Sequence, residues 1–217
     1  MKRYAIIVAG GNGQRMNTEL PKQFLLLKGK PVIMHSIKKF FDCDAEIIVV
    51  LPEAHLKFWE ELKSKYNFKI PHRVVSGGIT RCESVHNGLS LVDTIESIVA
   101  IHDAVRPLIS ETIIIKLYAV AEEKGNAIPV VEVRDSIRKI SGNKNEQVNR
   151  DDFRIVQTPQ VFQTKILKTA FEKTIERNFT DEASLAENCG IKINLEKGEQ
   201  RNIKITFPED LILAEAL

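Results

Sequence analysis

The chain has 217 residues, 43% of them hydrophobic, with 31 basic and 29 acidic side chains. That length supports one ordinary core and a single domain, and the near balance of charge excludes a whole-chain electrostatic partner such as nucleic acid or an anionic membrane surface, so any positive field must be local. Cys43, Cys82 and Cys189 are odd in number, widely spaced and free of C-x-x-C, which argues against a disulfide framework and a cysteine metal site and points to a reducing, cytoplasmic setting.

Met1-Lys2-Arg3 leads into a short apolar run, Tyr4–Ala9, that ends on Gly10-Gly11-Asn12-Gly13. The run is too short for a secretory signal and reads as a buried strand. No stretch approaches the ~20 apolar residues that a membrane helix needs. Further β-branched runs at Glu46–Leu51, His72–Val75, Ser97–His102 and Asn126–Val131 alternate with helical periodicity at Pro31–Phe41, Glu53–Tyr66, Thr80–Leu91 and Glu111–Glu123. That order predicts an α/β fold with a Rossmann-like, mostly parallel sheet and crossover helices. Two helix starts carry their own signals. Thr80-x-x-Glu83, after Gly77-Gly78, is a capping-box pattern, and Thr206-x-x-Glu209 with Pro208 reads as the same device opening the last helix.

Between Val131 and Val156 the pattern changes to two polar-alternating extended stretches around Ser141-Gly142-Asn143-Lys144-Asn145, a tip of turn residues. This reads as a β-arm, residues 131–156, inserted in a single domain spanning 1–217. A two-stranded ribbon is too thin to be stable alone, so the arm is expected to pack on another subunit or fold over the site; an ordinary surface hairpin is the alternative.

The chemistry gathers after the first strand. Glycines at 10, 11 and 13 let the backbone approach a ligand and point N–H groups at phosphate oxygens, while Arg15 and, beyond Pro21, Lys22 add positive charge. No Gly-Lys-Ser/Thr closes the loop as in a P-loop, and Thr18-Glu19-Leu20-Pro21 breaks the helix that a dinucleotide fingerprint requires. His102-Asp103 ends a predicted strand, where ligands of open α/β sheets bind. Asp103 there either holds Mg²⁺ on a triphosphate or accepts hydrogen bonds from a second substrate, although turn capping is the commoner use of the residue. Arg106 either joins that site or pairs with a neighbouring acid. His35, His55, His72 and His86 have no ligand spacing and are given structural or solvent roles; no protein-held metal is expected.

The motifs Ala9-Gly10-Gly11-x-Gly13-x-Arg15-Met16, Leu20-Pro21-Lys22-Gln23-Phe24, Gly77-Gly78-x-x-Arg81-x-x-Ser84-Val85, His102-Asp103-Ala104-Val105-Arg106-Pro107, Gln157-Thr158-Pro159-Gln160, Thr180-Asp181-Glu182-Ala183-Ser184 and Asn202-Ile203-Lys204-Ile205-Thr206 run through nearly the whole chain. In that order they resemble the 2-C-methyl-D-erythritol 4-phosphate cytidylyltransferases of the non-mevalonate isoprenoid pathway. The resemblance implies an enzyme that uses CTP with Mg²⁺ carried mainly on its phosphates and a sugar-alcohol phosphate as acceptor. It places Ala9, Gly10, Gly11, Gly13, Arg15 and Lys22 on the CTP phosphates, Gly78, Arg81 and Ser84 near the base and ribose, and Lys204 beside the reacting phosphorus. On the acceptor side it implies Asp103, Arg106 and Thr158, with Ser136 and Arg150 reaching across a homodimer interface. Ser136 stands where the family more often has Thr, which keeps the hydroxyl; Val105 replaces a frequent Ala.

The nearest rival is a ribitol 5-phosphate cytidylyltransferase, against which stand the Arg150 motif and Thr180–Ser184. A non-catalytic nucleotide-binding module would be expected to have lost Arg15, Lys22 or Lys204, and the chain keeps all three.

Overall fold

The computed structural model describes residues 1–10, 20–174 and 178–217. Strand β1 (Lys2–Val8) carries a continuous apolar run, and its side chains alternate between the two sheet faces: Ala5 and Ile7 on one, Tyr4, Ile6 and Val8 on the other, all buried. A strand apolar on both faces must be covered on both. After a 3-10 turn at Lys22–Phe24 and the small ribbon β2 (Leu26–Leu27) and β3 (Lys30–Pro31), helix α1 (Val32–Phe41) crosses to β4 (Glu46–Leu51), which pairs parallel with β1. Helix α2 (Leu56–Lys65) leads to β5 (Arg73–Ser76), parallel to β4. The chain then passes through α3 (Arg81–Ser90) to the other side of β1, where β6 (Ser97–Asp103) pairs parallel with it and sets Asp103 opposite Val8. Neighbouring strands thus leave the carboxyl end of the sheet in opposite directions from β1, which opens a crevice there.

Helix α4 (Glu111–Lys124) precedes β7 (Asn126–Glu132). The sequence pattern places β7 as the next strand, yet β7 does not pair with β6. The four-residue β11 (Gln160–Gln163) lies between them, antiparallel to both. Strand β10 (Arg154–Val156) is also antiparallel to β7, and β12 (Leu195–Lys197) is parallel to it, so the sheet is mixed at this edge and parallel around β1. The arm is β8 (Arg138–Ser141) and β9 (Lys144–Gln147), a hairpin in which every strand residue is exposed. Gly142, at φ 55°, opens its two-residue turn in the left-handed region that favours glycine.

Two cores cover the sheet. Ile33, Ile37 and Phe40 of α1, Trp59 of α2 and Leu117 and Tyr118 of α4 fill one face; Val85 and Leu89 of α3, Leu167 and Phe171 of α5 (Thr164–Lys173) and Leu185 of α6 (Glu182–Asn188) fill the other. Each such side chain contributes roughly 1.5–3 kcal/mol on burial. Helix α3 packs tightly on the sheet at Gly88, where a Cβ would stand 2.7 Å from Ile6 Cγ2. The last helix, α7 (Pro208–Ala216), begins one residue later than the Thr206-x-x-Glu209 pattern implies: Asp210 Oδ2 accepts from the N–H groups of Thr206 and Phe207 at 2.7 and 2.8 Å, so the acid one position on closes the first turn. Among the described residues no helix is long and apolar enough to cross a membrane.

Candidate active site

A cleft of about 220 Å³ opens at the carboxyl ends of β1 and β6, lined among the described residues by Gly10, Lys22, Gly78, Arg81, Asp103 and Lys204 with their neighbours. Three segments are locked together to form it. Gln23 Nε2 donates to Ala9 O at 2.9 Å and Lys22 Nζ donates to Ile205 O at 3.1 Å, so the 3-10 turn ties the end of β1 to the segment that carries Lys204.

The wall opposite is the start of α3. Thr80 Oγ1 accepts from Glu83 N at 3.1 Å and Glu83 Oε2 accepts from Thr80 N at 3.0 Å, which is the expected capping box. Ser84 Oγ accepts from Gly78 N at 3.1 Å and donates to Thr80 O at 3.0 Å. The glycines are needed by this cap as much as by a ligand, because a Cβ on Gly78 would stand 2.3 Å from Glu83 Cβ and one on Gly77 2.7 Å from Ser84 Oγ. Ser84 therefore shapes the loop, with its hydroxyl committed to backbone, while Gly78 lines the cleft.

Asp103 is the carboxylate of the cleft. Lys204 Nζ lies 2.9 Å from its Oδ2, Arg106 Nε 3.6 Å from the same oxygen and Arg81 Nε 3.5 Å from Oδ1. Burial alone would raise its pKa, but the Arg81, Lys204 and Arg106 cations hold it well below the usual carboxylate range. Behind it, Asp103 N–H donates to Thr158 Oγ1 at 3.0 Å, and Thr158 Oγ1 meets His102 Nδ1 at 3.2 Å. Burial lowers the His102 pKa to about 4, so the ring is neutral; with Nδ1 accepting from Thr158, its Nε2–H donates to Arg106 O at 3.1 Å.

The structure brings Ala9, Gly10, Lys22, Gly78, Arg81, Ser84, Asp103 and Lys204 to one cleft. Others of the expected residues stand elsewhere. Thr158 and Arg106 are behind Asp103: Thr158 is buried, and Arg106 NH1 donates to Asn202 O at 2.8 Å. Arg81 lines the cleft, but its two terminal nitrogens go to Glu182 at 2.6 and 3.1 Å, so its fork is turned from the ligand side. Ser136 is exposed outside the lining, and so is Arg150, which donates to Arg134 O at the base of the arm. Gly11, Gly13 and Arg15 lie outside the described residues.

Four buried polar residues are functional supports that the sequence reading leaves without a role. Gln157 Nε2 donates to Glu199 O at 2.8 Å, and Asn202 Nδ2 donates to Thr158 O at 2.9 Å, fixing the 198–206 segment that presents Lys204. Glu182 holds Arg81 from behind, and Gln160 Oε1 in turn accepts from the Glu182 N–H at 3.0 Å. Only the Asp181-x-x-Ser184 spacing, in which Asp181 Oδ1 accepts from Ser184 N at 3.0 Å, was available as a local signal for that helix start.

Among the described residues no three His, Cys, Asp or Glu groups cluster as a metal site. Asp103 is the one acid among the described lining residues and is already paired with three cations, a donor set that fits a divalent cation carried on substrate phosphates rather than one held by the protein.

A cationic cleft at the carboxyl edge of a mostly parallel α/β sheet, with a capped helix start on one wall and, among the described residues, a single acid on its floor, is the arrangement of a nucleotidyltransferase. The chain matches the family model for 2-C-methyl-D-erythritol 4-phosphate cytidylyltransferase (IspD) over residues 4–217, and it belongs to that family. It is 48% identical over 219 aligned positions to the 2-C-methyl-D-erythritol 4-phosphate cytidylyltransferase of Azobacteroides pseudotrichonymphae, covering 100% of this chain and 98% of that protein. The corresponding protein of Bacteroides fragilis is 46% identical, with 100% of both covered. The crystal structure of the Thermus thermophilus enzyme superposes with a TM-score of 0.82 at 31% identity, over 100% of this chain and 98% of that one.

Proposed function

We propose that the protein transfers CMP from CTP to 2-C-methyl-D-erythritol 4-phosphate, giving 4-diphosphocytidyl-2-C-methyl-D-erythritol and pyrophosphate. The observation that carries this reading is the convergence of Lys22, Lys204 and Asp103 on one cleft, in a chain that belongs to the IspD family. An oxygen of the acceptor's phosphate bonds to the α-phosphorus of CTP as the bond from that phosphorus to the β-phosphate oxygen breaks, and pyrophosphate leaves with that electron pair. Negative charge grows on the oxygens around the α-phosphorus. Lys22 and Lys204, fixed by their backbone and carboxylate partners, are positioned to meet it without reorganising, the electrostatic effect on which phosphoryl-type transfer mainly depends. Arg15 is assigned to the same task, with Gly10, Gly11 and Gly13 on the CTP phosphates.

Asp103 takes the acceptor side, receiving hydrogen bonds from the sugar-alcohol hydroxyls while Lys204 holds its charge in place. Mg²⁺ carried on the CTP phosphates would supply a Lewis acid that withdraws charge from the α-phosphorus, with Asp103 left to the acceptor. The active form is taken to be a cytoplasmic homodimer in which the 131–156 arm of one subunit completes the acceptor pocket of the other. Support for that reading comes from the exposed strands β8 and β9 and from Ser136 and Arg150, two phosphate-binding residue types standing outside their own cleft. A panel of the four nucleoside triphosphates against methylerythritol and ribitol phosphates, read by pyrophosphate release, tests the assignment. CTP with methylerythritol phosphate is the expected pair; preference for ribitol phosphate would overturn the acceptor, and release with neither acceptor would overturn the transfer.

A further inference from the structure

Glu182 is 2% exposed, lies outside the described lining of the cleft and is committed on every side. Its Oε1 accepts from Arg81 NH1 at 2.6 Å and its Oε2 from Arg81 NH2 at 3.1 Å, a two-pronged ion pair. Its backbone is fixed as firmly. The N–H groups of Glu182 and Ala183 both donate to Gln160 Oε1, at 3.0 and 2.9 Å, and Gln160 Nε2 donates to Asp181 Oδ2 at 2.9 Å. Gln160 sits on β11 opposite Ile101 of β6, two residues before Asp103, so the first turn of α6 is bolted to the strand that pairs with the one ending in the cleft's carboxylate.

The guanidinium of Arg81 therefore stands between two acids on unequal terms. Its fork is filled by Glu182 from behind, and the remaining donor, Nε, faces Asp103 Oδ1 across 3.5 Å. We infer that Glu182 is a positioning residue for the reaction: by occupying the fork of Arg81 it prevents a bidentate Arg81–Asp103 pair and leaves the carboxylate of Asp103 available to substrate. Without Glu182 the half-buried guanidinium has Asp103 to turn to, and a fork on both of its oxygens would take two of the four acceptor positions of a carboxylate that Lys204 and Arg106 already crowd, leaving less room for hydroxyls. The charge count agrees. Arg81, Arg106 and Lys204 surround Asp103 with three positive groups, and Glu182 supplies a second negative one without entering the cleft. This inference deepens the proposed function and rests on Asp103 serving the acceptor.

The test is steady-state kinetics on the full-length enzyme, varying CTP and methylerythritol phosphate in turn, for Glu182→Gln, Arg81→Gln, the double variant and Asp103→Asn. Glu182→Gln is expected to raise the acceptor KM by about tenfold or more, the range for outer groups that orient a functional ligand, with the CTP KM changed less than about twofold. The same substrate should be affected in Asp103→Asn. Because the two residues act in series, the double variant should be no worse than Arg81→Gln alone. A purely structural role would lower kcat through loss of folded enzyme and leave both KM values in place, and that result, or fully additive losses in the double variant, overturns the inference. Should Asp103→Asn shift the CTP KM instead, the acceptor-side reading of Asp103 fails, while Glu182→Gln shifting that same KM would still support the coupling; a shift in the other substrate would overturn it.

Discussion

Lowering the pH should destabilise this protein in a window set by His102. The ring is fully buried at the end of β6, packed 4.9 Å from the Phe40 ring by centroid distance. Its Nδ1 accepts from a Thr158 hydroxyl that already receives the N–H of Asp103, so a proton on Nδ1 would set a second donor against that oxygen and displace the hydroxyl's own hydrogen from its acceptor. Burial moves the pKa from 6.5 to about 4. The folded state stays neutral while the unfolded chain takes up a proton, so stability is fully present above pH 6.5, falls as pH drops toward 4 and falls no further from this group below that. The full interval corresponds to about 3 kcal/mol, at ~1.4 kcal/mol per pH unit. His72 is also lowered by burial, and Asp103 loses its contribution only below the unfolded carboxylate value of ~3.9, so the comparison must be with a variant. Urea unfolding at about pH 7 and about pH 4.5 should show wild type losing about 2–3 kcal/mol more than His102→Asn over that interval. Equal losses in the two proteins would refute the neutral, buried imidazole and the Thr158 network drawn from it.

Two further outcomes are expected. Lys22→Ala should lower kcat about 100-fold or more, the range for one preorganised contact to developing charge, whereas normal kcat with only a raised CTP KM would make Lys22 a ground-state binder. Mixing inactive Arg150→Ala and Lys22→Ala enzymes should partly restore activity on subunit exchange, because a crossed arm places both defects in one site of the mixed dimer and neither in the other. No recovery after verified exchange would rule out the crossed arm.

Much of this architecture is legible in the chain because the parallel centre is apolar on both faces. The runs at Tyr4–Ala9, Glu46–Leu51 and Ser97–His102 agree within two residues at each end with β1, β4 and β6. Thr80 and Glu83 satisfy each other locally, so the start of α3 is readable from four residues. The expected helix Glu53–Tyr66 is instead a 3-10 turn followed by α2, a change of winding that periodicity does not resolve. Strand β11 is hidden because its four residues gain their place from β6 and β7 rather than from a pattern of their own. The supports of Asp103 are hidden for a related reason. Arg81, Thr158, Glu182 and Lys204 are brought together by the fold from positions about 20 to 100 residues away, and no local spacing encodes a bidentate pair between α3 and α6. Arg150 and Ser136 are legible only through family resemblance, since nothing in their own chain's cleft calls for them.

If this cleft moves a cytidylyl group directly between two phosphates, the α-phosphorus of CTP must pass to the acceptor in one step, and its fate can be followed. With CTP made chiral at that phosphorus as the α-phosphorothioate, and methylerythritol phosphate as acceptor, the label should appear in the diphosphocytidyl product with inverted configuration while pyrophosphate leaves unlabelled. Among the described residues that line the cleft, Ser84 is the one Cys, Ser or His, and its hydroxyl donates to Thr80 O rather than to a base, so a single in-line displacement is expected. Label retained on the protein, net retention of configuration, or label released as the free nucleoside monophosphate analogue would contradict the account.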